Sequence, residues 1–307
     1  VLSLSGLHGR AALLFLIRRF FAEQGFIEVD TPLRLPVSIP ERHIELFTAG
    51  EQYLQASPEL CMKRLLARGA APIFQLGHCF RKGERGRLHL EEFTLLEWYR
   101  VGSDYSRLMD DCRDLCLFLH GEWPRESRRI EATGVATIFA GIDLYGHWEK
   151  LTVQDAFDRF SPVSLSIALD SGRFDEFLSE FVEPRLGLTS PSFLCDYPVA
   201  LASLSRRKPL APHLAERFEF YIKGVELANG FSELNDKEEQ RHRFAEEIRA
   251  IRSKSGRDVP MPEAFLRDLE TMPEAAGIAL GVDRLAMLAF GLTTIAQATT
   301  FSPEDFH

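Results

Sequence analysis

No stretch of the 307-residue chain holds the roughly 20 consecutive apolar residues that a membrane-spanning helix needs. The first residues show no charged-then-apolar leader ending in a cleavage site, so no export signal is expected. Positive charge is not in excess either. Lys and Arg number 36 against 45 Asp and Glu, and the net charge of −9 argues against a general nucleic-acid-binding surface. Cysteine is sparse: the five, at 61, 79, 112, 116 and 195, form no C-x-x-C pair and no zinc-like spacing with histidine. That excludes a disulfide scaffold and a zinc ribbon, and Cys112 and Cys116, one helical turn apart among leucines, read as reduced core residues. No internal repeat or low-complexity tract is visible. What is present, a 45% hydrophobic composition in a chain of this length, supports one large domain or two small ones. The expectation is a soluble, cytoplasmic globular protein.

Periodicity gives the outline. Residues 9–24 repeat apolar side chains at three and four and predict an amphipathic helix, stopped at Gly25 and followed by a short strand over 26–29. The Pro-interrupted segment 30–52 reads as an extended loop. Ser57-Pro58-Glu59 opens a helix over 58–68, with a capping hydroxyl, a proline in the first turn and an acid at the positive helix end. Runs 73–81 and 91–101 predict a hairpin with a long basic loop, and 104–120 a helix. Residues 121–150 read as an irregular connection and 151–187 as helical. Strands are expected at 193–199, 216–222 and 225–231, helices at 236–253 and 263–270, then a strand at 277–281 and a helix at 282–290. Helices at both ends with hairpins between them predict an α+β domain, an antiparallel sheet flanked by helices.

Residues two apart on a strand share a face. On the return strand of the first hairpin, Phe93, Leu95, Glu97 and Tyr99 therefore line one face, and Thr94, Leu96 and Trp98 the other. A carboxylate between aromatic side chains needs a cation or several donors. An ammonium ligand and a neighbouring arginine are equally good partners for Glu97 on this reasoning. The loop between the strands carries Arg81, Lys82, Arg85, Arg87 and His89, a set suited to triphosphate beside an aromatic platform at Phe93. In the second hairpin, Lys223-Gly224 is a two-residue turn. Pairing Ile222 with Val225 sets Glu219 opposite Ala228 and leaves Glu219 and Glu226 as diagonal neighbours on one face. Two carboxylates so placed want a positive partner, either Mg²⁺ bridging ATP phosphates or an arginine such as Arg284. Arg284 itself stands in the first turn of a helix after Gly281, where a cation is unfavourable unless an anion sits there. A surface pair with Asp283 or with a glutamate would satisfy it as well.

Taken together, three islands resemble the signature motifs of the class II lysyl-tRNA synthetases: Phe80-Arg81 through Glu97-Trp98-Tyr99, Glu226-Leu-Ala-Asn-Gly-Phe-Ser-Glu233, and Gly281-Val-Asp-Arg284. Gly25–Pro32 is similar to their first motif, and Ser57-Pro58-Glu59 to their substrate loop. The resemblance runs from about residue 8 to 303 and implies the fold, one catalytic domain over 1–307 in which 121–190 is a variable connection. It also implies roles. Arg81 and Arg284 would be catalytic. Lys82, Glu84, His89, Phe93, Leu227 and Gly281 would bind ATP with them, and Glu219 and Glu226 would hold Mg²⁺. Ser57 and Pro58 would bind substrate from their loop, Glu59 and Glu97 would share the α-amino group, Asn229 would meet the carboxylate, and Glu233 with Tyr99 the ε-ammonium. Two departures stand out: Gly83-Glu84 after the arginine, and His89-Leu90-Glu91-Glu92-Phe93 where the family has His-Asn-Pro-Glu-Phe.

Ala279 occupies a position that is glycine in the lysyl-tRNA synthetases, and one methyl there reshapes the pocket floor. With Glu97-Trp98-Tyr99 and no room upstream for an anticodon-binding domain, it points to the synthetase-like protein ligases that modify translation elongation factor P. The implied reaction activates lysine or (R)-β-lysine with ATP and Mg²⁺, then transfers it to a lysine of that factor, with tRNA not expected as a partner. Residues 8–32 would pair two copies into a homodimer. Two alternatives stand beside it: a synthetase core that charges tRNA or makes only adenylate, and a silent amino-acid-binding regulatory subunit. The second should have lost the arginines and carboxylates that this chain keeps.

Overall fold

Alternating aromatic and aliphatic residues assemble here into a sheet whose two faces differ in kind, one dry and helix-covered, the other carrying charge. The computed structural model describes residues 2–131, 138–202 and 204–306. From the N-terminus the elements are α1 (Leu4–Glu23), β1 (Ile27–Glu28), β2 (Arg34–Leu35), β3 (Thr48–Ala49), β4 (Gln52–Leu54) and α2 (Glu59–Leu66). Then follow β5 (Ile73–Phe80), β6 (Glu92–Val101), α3 (Tyr105–Arg129), β7 (Glu149–Thr152), α4 (Val153–Phe160), α5 (Leu165–Asp170) and α6 (Phe174–Phe177). After short π and 3-10 turns come β8 (Ser192–Pro198), β9 (Arg207–Lys208), β10 (Ala211–Ile222) and β11 (Val225–Ser232). The chain closes with α7 (Lys237–Ser255), α8 (Glu263–Leu269), β12 (Ala275–Gly281) and α9 (Val282–Ala289).

The main sheet has nine strands in the order β1-β5-β6-β12-β11-β10-β8-β7, with β9 on β10. Its centre is antiparallel, as expected, but both edge pairs, β1 with β5 and β7 with β8, are parallel. A small second sheet joins β2, β4 and β3. The architecture is α+β.

The dry face is covered by α1 and α3. Leu13, Leu16, Ile17 and Phe21 of α1 meet Leu108, Cys112 and Leu115 of α3 over Phe74, Leu96, Trp98 and Ile278 of the sheet. Phe21 stacks on Phe74 at 4.7 Å, and the Trp98 indole N–H donates to Asp111 at 3.1 Å. Each strand residue that faces these helices leaves its neighbours on the opposite, charged face. Ser3 caps α1 by accepting from the Gly6 N–H at 3.1 Å, and Gly25, at φ 77°, takes the left-handed turn that ends it. All five cysteines are free, four of them buried.

Two expectations need correction. Helix α3 runs to Arg129 rather than 120, through Pro124, because Trp123 is buried against Phe290 and Glu126 is buried on the same side. Burial of that face outweighs the donor lost at proline. The expected helical stretch 151–187 begins instead with β7, four residues too short to show a period, and then breaks into α4–α6 and the π and 3-10 turns. Of the 121–150 connection, residues 132–137 lie outside the described residues. Arg206, Arg207 and Lys208, a basic run in sequence, are each spent on a carboxylate: Glu216 at 2.7 Å, Glu239 at 2.8 Å and Asp196 at 2.7 Å. Among the described residues, no helix is long and apolar enough to cross a membrane.

Candidate active site

The four strands β6, β12, β11 and β10 present their charged face to a cleft of about 540 Å³. Register brings the sequence islands together there. Glu97 on β6 pairs with Ala279 on β12, which pairs with Asn229 on β11, which pairs with Glu219 on β10. Tyr99, Gly277 and Phe231 form the next row.

The second hairpin departs from the sequence reading in one respect. The turn is as expected, with Lys223 at φ 51° and Gly224 at φ 70°, and Ile222 opposes Val225. A bulge then intervenes: Tyr221 faces Glu226 but Phe220 faces Ala228, so Glu219 opposes Asn229 rather than Ala228. The residue opposite no partner is Leu227. Its insertion has a consequence for the site, because residues 226 and 229 are an odd number apart and would otherwise point to opposite faces. The bulge turns both Glu226 and Asn229 toward the cleft, whose wall they line with Leu227.

One end of the cleft holds two arginines, Arg81 and Arg284, each with a carboxylate nearby. The Arg81 guanidinium lies 5.2 Å from the centre of the Phe93 ring, with Glu84 at 3.9 Å. Its Nε is buried without a hydrogen-bond partner among the described residues. A buried guanidinium N–H left over is a vacancy for an anionic acceptor. Arg284 donates to the Leu88 carbonyl at 3.2 Å and to Glu226 through its carbonyl at 2.8 Å and its carboxylate at 3.1 Å. It also lies 2.7 Å from His89 Nε2, and burial, with Arg284 beside it, holds His89 below the usual imidazole range. Neutral His89 can accept from Arg284. The alternative pairing of Arg284 with Asp283 is excluded, because Asp283 is held by Arg10 at 2.7 Å and by the Thr94 N–H at 2.7 Å. This buried tie fixes the start of α9, with Gly281 before it on the cleft wall.

Lys82 is not brought to the cleft. Its ammonium sits 2.6 Å from Glu45. Glu91, one of the two departures from the family pattern, binds Arg85 and accepts the Gly83 N–H at 2.8 Å, so it shapes the loop from within.

The two expected metal carboxylates do share the face. Each already holds an arginine: Glu226 holds Arg284, and Glu219 holds Arg217 at 2.8 Å. Arg217 was not picked out from the sequence, where Arg284 alone was considered for both. It also donates to Asn229 Oδ1 at 3.2 Å. The Tyr221 hydroxyl donates to Glu219 at 2.6 Å, and burial together with Glu226 pushes the Glu219 carboxyl up. Among the described residues no group of three or more His, Cys, Asp or Glu could cage a metal ion. Two carboxylates facing a phosphate site nevertheless fit Mg²⁺, which keeps water and phosphate oxygens as its other ligands.

The opposite end is acidic and deep. Glu97 accepts from the Ser57 hydroxyl at 2.7 Å and from the Tyr99 hydroxyl at 2.6 Å. Pro58 takes the cap position, α2 begins at Glu59, and the Glu59 N–H donates to Ser57 Oγ at 3.0 Å. The residue that sequence reasoning missed is Lys63, one turn along α2. Its side chain is 1% exposed, and its ammonium bridges Glu59 and Glu233, the latter at 2.5 Å. It also lies 5.1 Å from the centre of the Phe231 ring. Burial alone would lower the Lys63 pKa, but the two carboxylates outweigh it and raise it, so the proton stays on lysine. Glu233 thus already holds one ammonium, through Oε2, while its Oε1 is buried with no partner among the described residues.

Gly277 makes this floor possible. A Cβ there would overlap the Tyr99 ring and Glu233 Oε1. Gly277→Ala is expected to cost about 1–3 kcal/mol of stability by overpacking; a denaturant midpoint equal to that of the parent would show that the two side chains can move aside freely.

The family model described as tRNA synthetases class II (D, K and N) matches residues 4–305. A protein of Photorhabdus laumondii named elongation factor P–(R)-β-lysine ligase is 40% identical, with 98% of this chain and 95% of that protein covered. Proteins of the same name from Vibrio vulnificus, 38% identical, and Proteus mirabilis, 37% identical, are covered over 96% and 95% of their lengths, each with 97% of this chain. Signature residues, sheet order and relatives lead to one assignment: the chain belongs to the class II tRNA synthetases (D, K and N).

Proposed function

We propose that this protein is an ATP-dependent ligase that activates lysine or (R)-β-lysine as an aminoacyl-adenylate and transfers it to a lysine side chain of elongation factor P. The observation that carries the reading is the polarity of the cleft: a partnerless arginine N–H on an aromatic platform at one end, an acidic floor at the other. Lys63 offsets one of the three carboxylates Glu59, Glu97 and Glu233, so the fully ionised floor carries two negative charges. That matches the two ammonium groups of a diamino acid. The names of the relatives supply the acceptor.

In the proposed first step a carboxylate oxygen of the amino acid forms a bond to the α-phosphorus of ATP, and pyrophosphate leaves. Asn229 and the floor orient the amino acid, Phe93 supports adenine, and Arg81 and Arg284 neutralise charge that grows on the phosphates. Mg²⁺, held by Glu219 and Glu226, would supply further neutralisation of the triphosphate. Binding there requires Arg284 and Arg217 to yield part of their hold on these carboxylates. Ala279, between Glu97 and Asn229, sets the depth of the floor and with it the preference between lysine isomers. Two copies pair through residues 8–32, where Phe15 and Ile27 are exposed.

ATP–pyrophosphate exchange driven by lysine or β-lysine tests the activation half, and exchange with neither would refute it. The floor also predicts a pH effect. Burial and Glu59 push Glu97 up to about 8, and burial, offset by Lys63, pushes Glu233 up to about 8. Glu97, which no cation touches among the described residues, therefore retains proton at pH 7 in the free protein, whereas Glu233 stays the carboxylate partner of the Lys63 ammonium. An ammonium beside Glu97 favours the carboxylate form, lowers its value and releases the proton. Calorimetry at pH 7 should show a binding enthalpy that varies with the ionisation enthalpy of the buffer, and the variation should fade well above pH 8. A buffer-independent enthalpy at pH 7 would place the ammonium groups elsewhere.

A further inference from the structure

The proposed adenylate leaves the transfer step without an assigned base. An ordinary lysine side chain has a pKa of about 10.4, so the acceptor arrives as an ammonium and must lose a proton before it can attack. Residues 36–47, between β2 and β3, contribute one wall of the cleft through Glu41, Arg42, His43 and Ile44. This segment is tied at two points. Arg42 binds Glu247 of α7, with its Nη2 at 2.6 Å and its backbone N–H at 2.8 Å. Glu45 holds Lys82 at 2.6 Å, and its carbonyl accepts the Lys82 N–H at 2.8 Å. Glu41 stands immediately before the first of these ties.

The other acids of the cleft are engaged: Glu59 with Lys63, Glu226 with Arg284, Glu247 with Arg42, Asp283 with Arg10. Glu84 lies 3.9 Å from Arg81. Asp175 is exposed to solvent. Glu41 is half-buried on the cleft wall, and its carboxylate has no hydrogen-bond or ion-pair partner among the described residues. The charged groups around it are Arg42 and His43 on its own segment, Glu59 on α2, Arg81 after β5, Arg217 on β10 and Glu247 on α7. It therefore shares the cleft wall with the residue assigned to the α-phosphate and the residue assigned to the amino acid, and its charge is felt by both.

Resting on the ligase reading above, we propose that Glu41 is a catalytic residue of the transfer step, the base that meets the acceptor ammonium and takes its proton. Burial and Glu59 push its carboxyl up to about 7, with Arg81 opposing, and a base poised near neutrality is well matched to that task. The balance is simple. One N–H proton passes to Glu41, and the nitrogen lone pair forms the C–N bond to the aminoacyl carbonyl carbon. The C–O bond to phosphate breaks with its electron pair on AMP, and the second N–H proton leaves to solvent as the amide forms.

The test compares three reactions of the full chain carrying Glu41→Gln: lysine-driven pyrophosphate exchange, labelling of elongation factor P, and hydroxamate formation from hydroxylamine, an acceptor that is neutral at the working pH. The expected result is a split. Labelling falls by about 10²–10⁴-fold, exchange falls far less, hydroxamate formation persists, and Glu41→Asp recovers part of the labelling. Unchanged labelling overturns the proposal. So does a parallel fall of labelling and hydroxamate formation, which would mean that the segment only shapes the site. An equal loss of exchange would assign Glu41 to amino-acid or ATP binding instead. Absence of exchange in the parent protein would refute the ligase reading itself rather than this role.

Discussion

Replacing Arg81 by alanine is expected to lower lysine-driven pyrophosphate exchange by about 10²–10³-fold, the range found when one preorganised donor to a developing charge is removed. The loss falls mainly on kcat, because the α-phosphate gains its extra negative charge in the transition state rather than on binding. The structure prepares this donor before any substrate arrives. Its ring contact with Phe93 fixes the guanidinium plane, and its Nε is buried with its hydrogen-bonding capacity unspent. Arg81→Lys should recover little, since an ammonium offers neither the planar fork nor the face that lies on the ring. A loss confined to KM, or a lysine variant equal to the parent, would mean that Arg81 contributes charge to binding alone.

Lys63→Met should be the most destabilising single change in the cleft, costing about 3–5 kcal/mol, the cost of breaking a buried ion pair from one side. Methionine fills the space and keeps the contact with Phe231, but Glu59 and Glu233 then face each other without their common cation. Unfolding in denaturant measures the loss. The double variant Lys63→Met, Glu233→Gln should be less destabilised than Lys63→Met alone, because an unpaired buried carboxylate is worse than a missing pair. Simple additivity of the two changes would show that Lys63 stabilises through packing and not through charge.

Much of this cleft was legible in the chain. The period of two on 91–101 places Glu97 and Tyr99 together, and they are joined at 2.6 Å. The Lys223-Gly224 dipeptide fixes the first pairs of the second hairpin. Legibility ended where geometry leaves the repeat. The Leu227 bulge follows no local signal, so a strict register set Glu219 opposite Ala228, one residue short of its partner Asn229. Lys63 sits in the helix expected over 58–68, where a lysine beside Arg64 gives no sign of burial. Only its closeness to Glu233, 170 positions away in sequence, shows that it is buried. Glu41 lies in a Pro-interrupted loop with no period at all, and its meaning comes from the wall it helps to form. The reach of α3 beyond 120 was hidden by Pro124, a residue that local rules read as a stop.

The most direct measurement is the mass of elongation factor P after incubation with this protein, ATP, Mg²⁺ and either lysine or (R)-β-lysine. The ligase account predicts that a single lysine side chain gains one lysyl or β-lysyl unit, that the gain requires ATP, and that Arg81→Ala abolishes it. An unchanged mass, in a preparation that exchanges pyrophosphate and charges tRNA or only accumulates adenylate, would contradict it.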